Sequence, residues 1–428
     1  MATKRYDKLQ ETLYYEKLDN GLDVFVLPKP GFTKTYATFT TRYGSIDNRF
    51  RPAGGEEIRV PDGIAHFLEH KMFEEPEGDI FATFASQGAS ANAFTSFDRT
   101  VYLFSATRNI EANLATLLDF VQNPYFTDAN VEKEKGIIVQ EINMYRDNPD
   151  WRVYYGLIEA LYSVHPVHID IAGTEQSVRS ITKEMLYDCY RTFYHPSNMT
   201  LFVVGGVDGE ATLELVKANQ AAKTFPEAGP VERIFEEEPL QVREKRKEIR
   251  LPVSLPKCLF GYKEEPAPRD GSGAIRRELV TRLMFDILLG PSSSLYQELY
   301  EANLISDGFG YEFNTGSGYS FSVIGGDTRD PDALVAKVTA ALEEAAQKGV
   351  AEAEFERARR KRIGAYLRML NSPEAIANEF TRYRLNGGDF FELVGLYESL
   401  TPGDVNARLR EHVNADRLAV AVVRSDAV

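Results

Sequence analysis

Cysteine, histidine and tryptophan are scarce in this chain of 428 residues, which contains two, six and one of them, respectively. Cys189 and Cys258 lie far apart and have no ligand-like spacing. This excludes a disulfide framework or a cysteine-ligated metal as the feature that organises the fold. We therefore expect both cysteines to be reduced, buried thiols in a cytoplasmic protein.

Long apolar runs are also missing, and no segment approaches the roughly 20 residues that a membrane-spanning helix needs. Residues 1–9 are polar and lack the apolar centre of a signal peptide. Basic residues are fewer than acidic ones. The chain has 49 Lys and Arg and 64 Asp and Glu, which gives a formal net charge of −15. We therefore expect no membrane span and no nucleic-acid partner.

Two of the few histidines stand in one short motif, His66-Phe67-Leu68-Glu69-His70. Offsets of three and four residues return to nearly the same face of an α-helix, so the two imidazoles and the carboxylate project together. Two imidazoles can bind one metal ion, and Glu69 beside it can handle protons. The order His-x-x-Glu-His is the inverzincin signature of zinc peptidases. We expect a helix here with Asp62 as its N-cap.

A third ligand is needed, because a catalytic zinc ion usually has three protein ligands. Residues 130–144 predict a helix on which Glu134 and Glu141, seven residues apart, share one face. Either glutamate could instead pair with a basic neighbour at the surface, and the spacing alone does not choose between them as ligand. Four apolar residues are expected to pack this helix against a core: Ile137, Ile138, Ile142 and Met144.

Together these two helices resemble the pitrilysin-like zinc metallopeptidases, which include insulin-degrading enzyme and the mitochondrial processing peptidase. In that family the zinc helix is followed by a helix that carries two glutamates seven residues apart, and here Glu141 lies 71 residues after His70. Residues 140–145 resemble the bacterial YmfH-like branch. The other family-like stretches are residues 88–95, 123–126, 171–174 and 194–199.

The resemblance implies a role for each of these residues. His66, His70 and Glu141 would bind Zn²⁺, Glu69 would be the general base, and Glu134 would support the site. A family strand that pairs with the peptide substrate maps onto five residues: Ser90, Ala91, Asn92, Ala93 and Phe94.

The resemblance and the order of predicted elements imply an α+β fold of two related domains, each a mainly antiparallel sheet packed by helices, which together form one half of a clam-shell. Prolines and charged residues near residue 240 indicate a linker. We therefore predict an N-terminal zinc-binding domain at 1–230, a linker at 231–250 and a C-terminal peptidase-like domain at 251–428.

One departure from the family concerns an Arg followed seven residues later by a Tyr, which bind the substrate backbone. Tyr300 stands where this Arg is expected, Asp307 lies seven residues on, and Tyr311 is nearby but out of register. The chain is also about half as long as single-chain members. We therefore expect a heterodimer with a related subunit that carries the Arg and Tyr, with a homodimer as the alternative.

Two functions remain open from the sequence. The first is a zinc endopeptidase that cleaves unstructured peptides or processing segments. The alternative is a non-catalytic peptide-binding or scaffolding subunit with a vestigial or structural metal site. A structural zinc site uses four protein ligands and no base, so Glu69 and a third carboxylate favour the enzyme.

Overall fold

Mainly antiparallel β-sheets with packed helices make up the computed structural model of this protein, which describes residues 1–76, 78–267 and 271–426. The strands are β1 Ala2–Tyr6, β2 Glu11–Lys17, β3 Asp23–Pro28, β4 Thr35–Thr41, β5 Arg49–Arg51, β6 Ile58–Arg59, β7 Glu74–Glu75, β8 Gly78–Asp79, β9 Ala89–Thr95, β10 Thr100–Ala106, β11 Met199–Gly205, β12 Glu232–Arg233, β13 Arg246–Arg250, β14 Lys257–Glu264, β15 Gly310–Gly316, β16 Tyr319–Asp327 and β17 Leu418–Arg424.

The helices lie between and after these strands. They are α1 Ile64–Met72, α2 Ile80–Ser86, α3 Ile110–Val121, α4 Asp128–Arg146, α5 Pro149–Leu161, α6 Glu175–Ser180, α7 Lys183–Phe193, α8 Gly209–Ala221, α9 Ser272–Leu289, α10 Ser294–Glu301, α11 Pro331–Lys348, α12 Glu352–Met369, α13 Pro373–Leu385, α14 Leu393–Ser399 and α15 Pro402–His412. Single 3-10 turns lie at Pro166–His168, Pro196–Asn198, Phe390–Glu392 and Ala415–Arg417.

The first sheet has the strand order β1-β2-β3-β11-β4-β10-β9. Its pairs are antiparallel except for β3 and β11, which run parallel. Strand β11 is buried along its whole length, as expected for a central strand with both faces covered. Apolar side chains from this sheet and from α1, α3, α4 and α7 form one core.

The second sheet has a related strand order, β13-β17-β14-β16-β15. Here β13 and β17 form the parallel pair, and the remaining pairs are antiparallel. The order matches β3-β11-β4-β10-β9 of the first sheet strand for strand, and the parallel pair takes the same place in both series. The prediction of an α+β fold with two related halves is therefore confirmed.

Two compact units divide the chain, and neither is one continuous segment. The first comprises Met1–Ile142, Asp170–Ile234 and Met369–Leu385, and the second comprises Asn143–Ile169, Phe235–Arg368 and the chain from Asn386 onward. Helix α5 contacts β13, β14 and β17 in the second unit, whereas α13 contacts β4 and β11 in the first. The predicted ranges 1–230, 231–250 and 251–428 do not assign residues 143–169 to the second unit or residues 369–385 to the first. Composition along the chain reports only on neighbouring residues and does not show such discontinuous units.

Both cysteines are buried free thiols, as the sequence predicts. Across the ranges that the structure describes, no helix is both long enough and apolar enough to cross a bilayer.

Candidate metal centre

Helix α1 begins at a glycine rather than at an aspartate cap. Gly63 is the N-cap residue, has a φ of 87° and makes no side-chain capping bond. A Cβ on Gly63 would lie 2.4 Å from the carbonyl oxygen of Ala172, so glycine is required both by the backbone conformation and by the close approach. The predicted N-cap, Asp62, is therefore wrong. Its carboxylate instead accepts a hydrogen bond of 2.9 Å from the side chain of Asn48.

One side of α1 is buried in the first core, and this orients the motif. Phe67 and Leu68 are completely buried, whereas the imidazoles of His66 and His70 keep some exposure. Glu69 is also buried, with 8% of the residue exposed. The helix period thus places the apolar residues in the core and the three polar groups at its border.

Helix α4 brings the second pair of polar groups to this border. Ile138 is fully buried and Ile142 is partly buried against the core, as predicted. Ile137 and Met144 are instead 46% and 60% exposed, so these two core predictions are wrong. The physical reason is the helix period, because residues 137 and 144 share a face with Glu141 rather than with Ile138.

Three side chains from the two helices converge on one point. Nε2 of His66 lies 3.7 Å from Oε1 of Glu141, and Nε2 of His70 lies 3.6 Å from Oε2 of the same carboxylate. The potential ligand atoms of the three residues all lie within 4.8 Å of one another. No other group of three or more such residues converges in this way within the described ranges.

The donor set fits a zinc ion. Two imidazole nitrogens and one carboxylate are ligands that Zn²⁺ prefers, and three such ligands leave the open position that a catalytic site needs. Ligand atoms about 2.0–2.1 Å from a tetrahedral zinc ion lie about 3.4 Å from one another. The observed separations of 3.6 and 3.7 Å are close to this spacing.

Glu134 contacts the other nitrogen of His70. Oε1 of Glu134 lies 3.0 Å from Nδ1 of His70. A carboxylate only accepts, so Nδ1 carries the proton and the lone pair of Nε2 faces Glu141. Burial opposes the charged imidazolium, but the hydrogen bond to Glu134 and the neighbouring carboxylates raise the pKa of His70 overall. For Glu134, burial is outweighed by the hydrogen bond from His70 and by the Lys71 and Lys133 charges, which lower its pKa.

His66 has no comparable support. Burial and the neighbouring His70 lower the pKa of His66 to about 3, so its imidazole is neutral at physiological pH. A neutral imidazole is the form that binds metal. Its Nδ1 atom is buried and has no hydrogen-bond partner within the described part of the chain.

Glu69 is contacted by Thr95, a residue with no role predicted from the sequence. The hydroxyl of Thr95, at the end of β9, donates a 2.7 Å hydrogen bond to Oε2 of Glu69. Burial raises the pKa of Glu69 above its ordinary value, against the opposing hydrogen bonds from Thr95. Thr95 falls within the family-like stretch 88–95, but a contact between a helix and a strand 26 residues later depends on the tertiary fold.

Residues Ser90 to Phe94 lie in β9, which pairs with β10 and ends the first sheet on that side among the described strands. Ala91 and Ala93 pack against the core, whereas Ser90 and Asn92 are exposed. The side-chain oxygen of Asn92 accepts a 2.9 Å hydrogen bond from the backbone N–H of Ala93.

Tyr300 and Tyr311 lie in the second unit, near the positions where the Arg and Tyr of the family are expected. Tyr300 on α10 is 52% exposed. Tyr311 on β15 donates a 2.5 Å hydrogen bond to Oδ1 of Asp286, and this carboxylate also pairs with Lys361 and Arg362. The Tyr311 hydroxyl is therefore engaged within its own unit.

Similarity to known proteins identifies the protein family of this chain. Residues 56–175 match the family model "Insulinase (Peptidase family M16)", and residues 180–362 match "Peptidase M16 inactive domain". The chain belongs to peptidase family M16, which confirms the predicted pitrilysin-like resemblance. It is 54% identical to "Uncharacterized zinc protease YmfH" of Bacillus subtilis (strain 168), with 98% of each chain covered, and this confirms the YmfH-like branch.

Solved structures support the same fold. The solved structure described as "putative M16-like peptidase from Alicyclobacillus acidocaldarius" is 42% identical and superposes with a TM-score of 0.94, over 97% of this chain and 99% of the other. The periplasmic protease PqqL of Escherichia coli, at 19% identity, gives a TM-score of 0.72 over 100% of this chain but only 48% of its own. In fold, this chain therefore corresponds to about half of PqqL.

Proposed function

We propose that this protein is a zinc-dependent endopeptidase that cleaves unstructured peptides or processing segments. The convergence of His66, His70 and Glu141, with Glu69 beside them but outside the ligand group, carries the proposal. A purely structural zinc site would be expected to use a fourth protein ligand and would need no base. The family relationship supports the same reaction class.

In this proposal His66, His70 and Glu141 hold the zinc ion. When bound, zinc supplies Lewis acidity, which polarises the scissile carbonyl and the attacking water. Glu134 holds Nδ1–H of His70 and so presents Nε2 toward the metal position. Glu69 accepts the proton of the attacking water and transfers it to the leaving amine.

Strand β9 is the proposed substrate-binding strand. It stands at an edge of the described first sheet, so its outer backbone groups can pair with an extended peptide. The small side chains of Ser90, Ala91 and Ala93 permit the close approach of another backbone, while Asn92 and Phe94 supply larger contacts beside the scissile bond. Because such pairing reads main chain more than side chain, it suits peptides without stable structure.

We also propose that the chain works as the zinc-bearing subunit of a dimer. Tyr300 replaces the expected arginine, and the hydroxyl of Tyr311 is engaged by Asp286. A related subunit that carries the Arg and Tyr would complete substrate binding. A homodimer is the alternative assembly.

The second candidate function is a non-catalytic peptide-binding or scaffolding subunit with a vestigial or structural metal site. The match of residues 180–362 to a family model described as an inactive domain, together with Tyr300, favours this alternative. The two functions differ in whether a bound peptide is cut.

One experiment separates them. Zinc content and cleavage of a quenched peptide library are measured for the parent, for Glu69→Gln and for Glu132→Gln, a surface control on the same helix as Glu141. If the protein is a peptidase, all three proteins should bind about one zinc ion per chain. The cleavage rate should fall by about 10²–10⁴-fold in Glu69→Gln and should not change in Glu132→Gln. Assays with and without the related subunit test the dimer. An active Glu69→Gln protein, or zinc and peptide binding with no cleavage under any condition, would overturn the peptidase proposal.

A further inference from the structure

A lysine is buried directly beside the candidate metal centre. Lys71 follows His70 on α1, and its side chain is 0% exposed. A lysine is rarely buried to this degree unless an anion compensates its charge. Two carboxylates do so here. Glu74, three residues further on, forms a short ion pair with the ammonium group, and Oε2 of Glu134 lies 4.0 Å from it.

Glu134 is therefore contacted at both of its oxygens. Oε1 faces Nδ1 of His70 at 3.0 Å, and Oε2 faces the ammonium group of Lys71 at 4.0 Å. Two partners on two oxygens restrict rotation of the carboxylate, and the orientation of the carboxylate in turn restricts the imidazole. The contacts thus form one continuous series from Lys71 through Glu134 to His70.

The charges around Glu134 also support a role for Lys71 in holding this carboxylate. Glu134 is buried, with 8% of the residue exposed, and it shares the site with the carboxylates of Glu69 and Glu141. A buried carboxylate without a nearby cation is costly, and removing one partner of such a pair leaves the other uncompensated. Lys71 supplies this compensation at Oε2, the oxygen of Glu134 that does not face His70. The negative charge of Glu134, which contacts both residues, offsets part of the repulsion between Lys71 and a bound cation.

We propose that Lys71 is a positioning residue whose buried ammonium group holds Glu134, which in turn orients His70 for zinc. This inference rests on the proposed zinc site. The charge is what matters, so an apolar side chain of similar length should not replace it.

The test measures the zinc dissociation constant of the full chain by competition with a chromogenic chelator. We expect Lys71→Met to weaken zinc binding about 10-fold, the lower end of the effect of losing an outer-shell partner. Lys71→Arg keeps the charge and should recover affinity to within about 3-fold of the parent. The control Lys217→Met removes a matched lysine of an exposed i,i+3 pair with Glu214 and should leave affinity unchanged.

A merely structural role is distinguished by two further readouts. If Lys71 acts through Glu134, Lys71→Met should have no additional effect on zinc affinity in a Glu134→Gln background. The Tm of the metal-free Lys71→Met protein should fall, because Glu134 loses its compensating charge, and it should fall by less in the Glu134→Gln background. A lower metal-free Tm with unchanged zinc affinity would overturn the inference, as would tighter zinc binding by Lys71→Met.

Lys71→Gln covers the case in which Lys71→Met does not fold. Glutamine removes the charge but keeps a polar group beside the two carboxylates, and we expect zinc binding about 10-fold weaker. Unchanged affinity in Lys71→Gln would then overturn the inference. A parent that binds no zinc would instead refute the proposed function, so the two failures are distinguishable.

Discussion

Thr95 donates a 2.7 Å hydrogen bond from its hydroxyl to Oε2 of Glu69, and so connects the strand proposed to bind substrate with the proposed base. A base must be held in one orientation to transfer a proton efficiently. Placing the donor on β9 means that the strand that would align the peptide also aligns the carboxylate.

Replacing Thr95 with valine should lower kcat by about 10-fold and leave zinc content unchanged, because valine keeps the shape but removes the hydroxyl donor. Peptide cleavage and metal analysis on the same preparation check this. Thr95→Ser should retain most activity. As a control, Thr116→Val removes a hydroxyl that bonds to Ala112 in α3 and to the side chain of Gln87, not to Glu69, and should leave kcat unchanged. Full activity of Thr95→Val would show that Glu69 is oriented by other contacts.

Zinc should stabilise the first unit against heat. A ligand that binds only the folded state at 100 times its dissociation constant adds about 2.7 kcal/mol to the free energy of unfolding. We therefore expect zinc to raise the Tm and a chelator to lower it again. Glu141→Gln and His66→Ala should abolish this shift, whereas Glu132→Gln on the surface of α4 should keep it. A zinc-dependent Tm that survives in Glu141→Gln would place the metal elsewhere.

A buried ion cluster in the second unit predicts how stability depends on pH. Glu264 contacts Arg277, Arg408 and His412. Burial opposes its charge, but His412 and the two guanidinium groups lower the pKa of Glu264 to about 2. Burial also lowers the pKa of His412 below its ordinary value of 6.5, against the opposing effect of Glu264.

Both shifts stabilise the protein at neutral pH and lose their effect in acid. The Glu264 contribution is complete above about pH 4.5 and is lost as the pH falls toward 2, because the unfolded chain then binds a proton that the folded state does not. The His412 contribution begins to fall below pH 6.5 for the same reason. Together we expect a loss on the order of 3 kcal/mol or more in acid.

Urea unfolding between pH 7 and pH 3 measures this loss. Glu264→Gln should unfold more easily at pH 7 and should depend less on pH below 4.5, since the carboxyl group that titrates is gone. Glu344→Gln, which alters an exposed pair with Lys348, serves as the control and should follow the parent profile. Equal pH dependence of Glu264→Gln and the parent would contradict the assignment.

Gly63→Ala should destabilise the protein by about 1–3 kcal/mol, because alanine is strained at a φ of 87° and its Cβ would meet the carbonyl of Ala172. The start of α1 would shift, so zinc affinity should fall as well. Gly136→Ala on α4 is the matched control, since a Cβ there meets no atom within 4 Å. It should stabilise α4 by about 0.5–1 kcal/mol. Thermal unfolding of both variants measures these changes, and the Tm should fall in Gly63→Ala and rise in Gly136→Ala.

The elements of the fold followed closely from the sequence. The helix predicted at residues 130–144 lies within α4, Asp128–Arg146, and the predicted zinc helix is α1, Ile64–Met72. Both predictions depend on local periodicity. The predicted N-cap of α1, Asp62, was wrong, because the need for Gly63 arises from Ala172, which is more than 100 residues away in the sequence.

The sequence by itself determined that His66, Glu69 and His70 share one face, since the period of a helix is a local property. It also placed Glu134 and Glu141 together on a second helix, but spacing did not separate their roles. Only the tertiary structure put Glu141 opposite both Nε2 atoms and Glu134 opposite Nδ1 of His70. The contacts of Thr95 with Glu69 and of Lys71 with Glu134 were likewise decided by the packing of α1 against β9 and α4, because hydrogen bonds and ion pairs depend on distances in space.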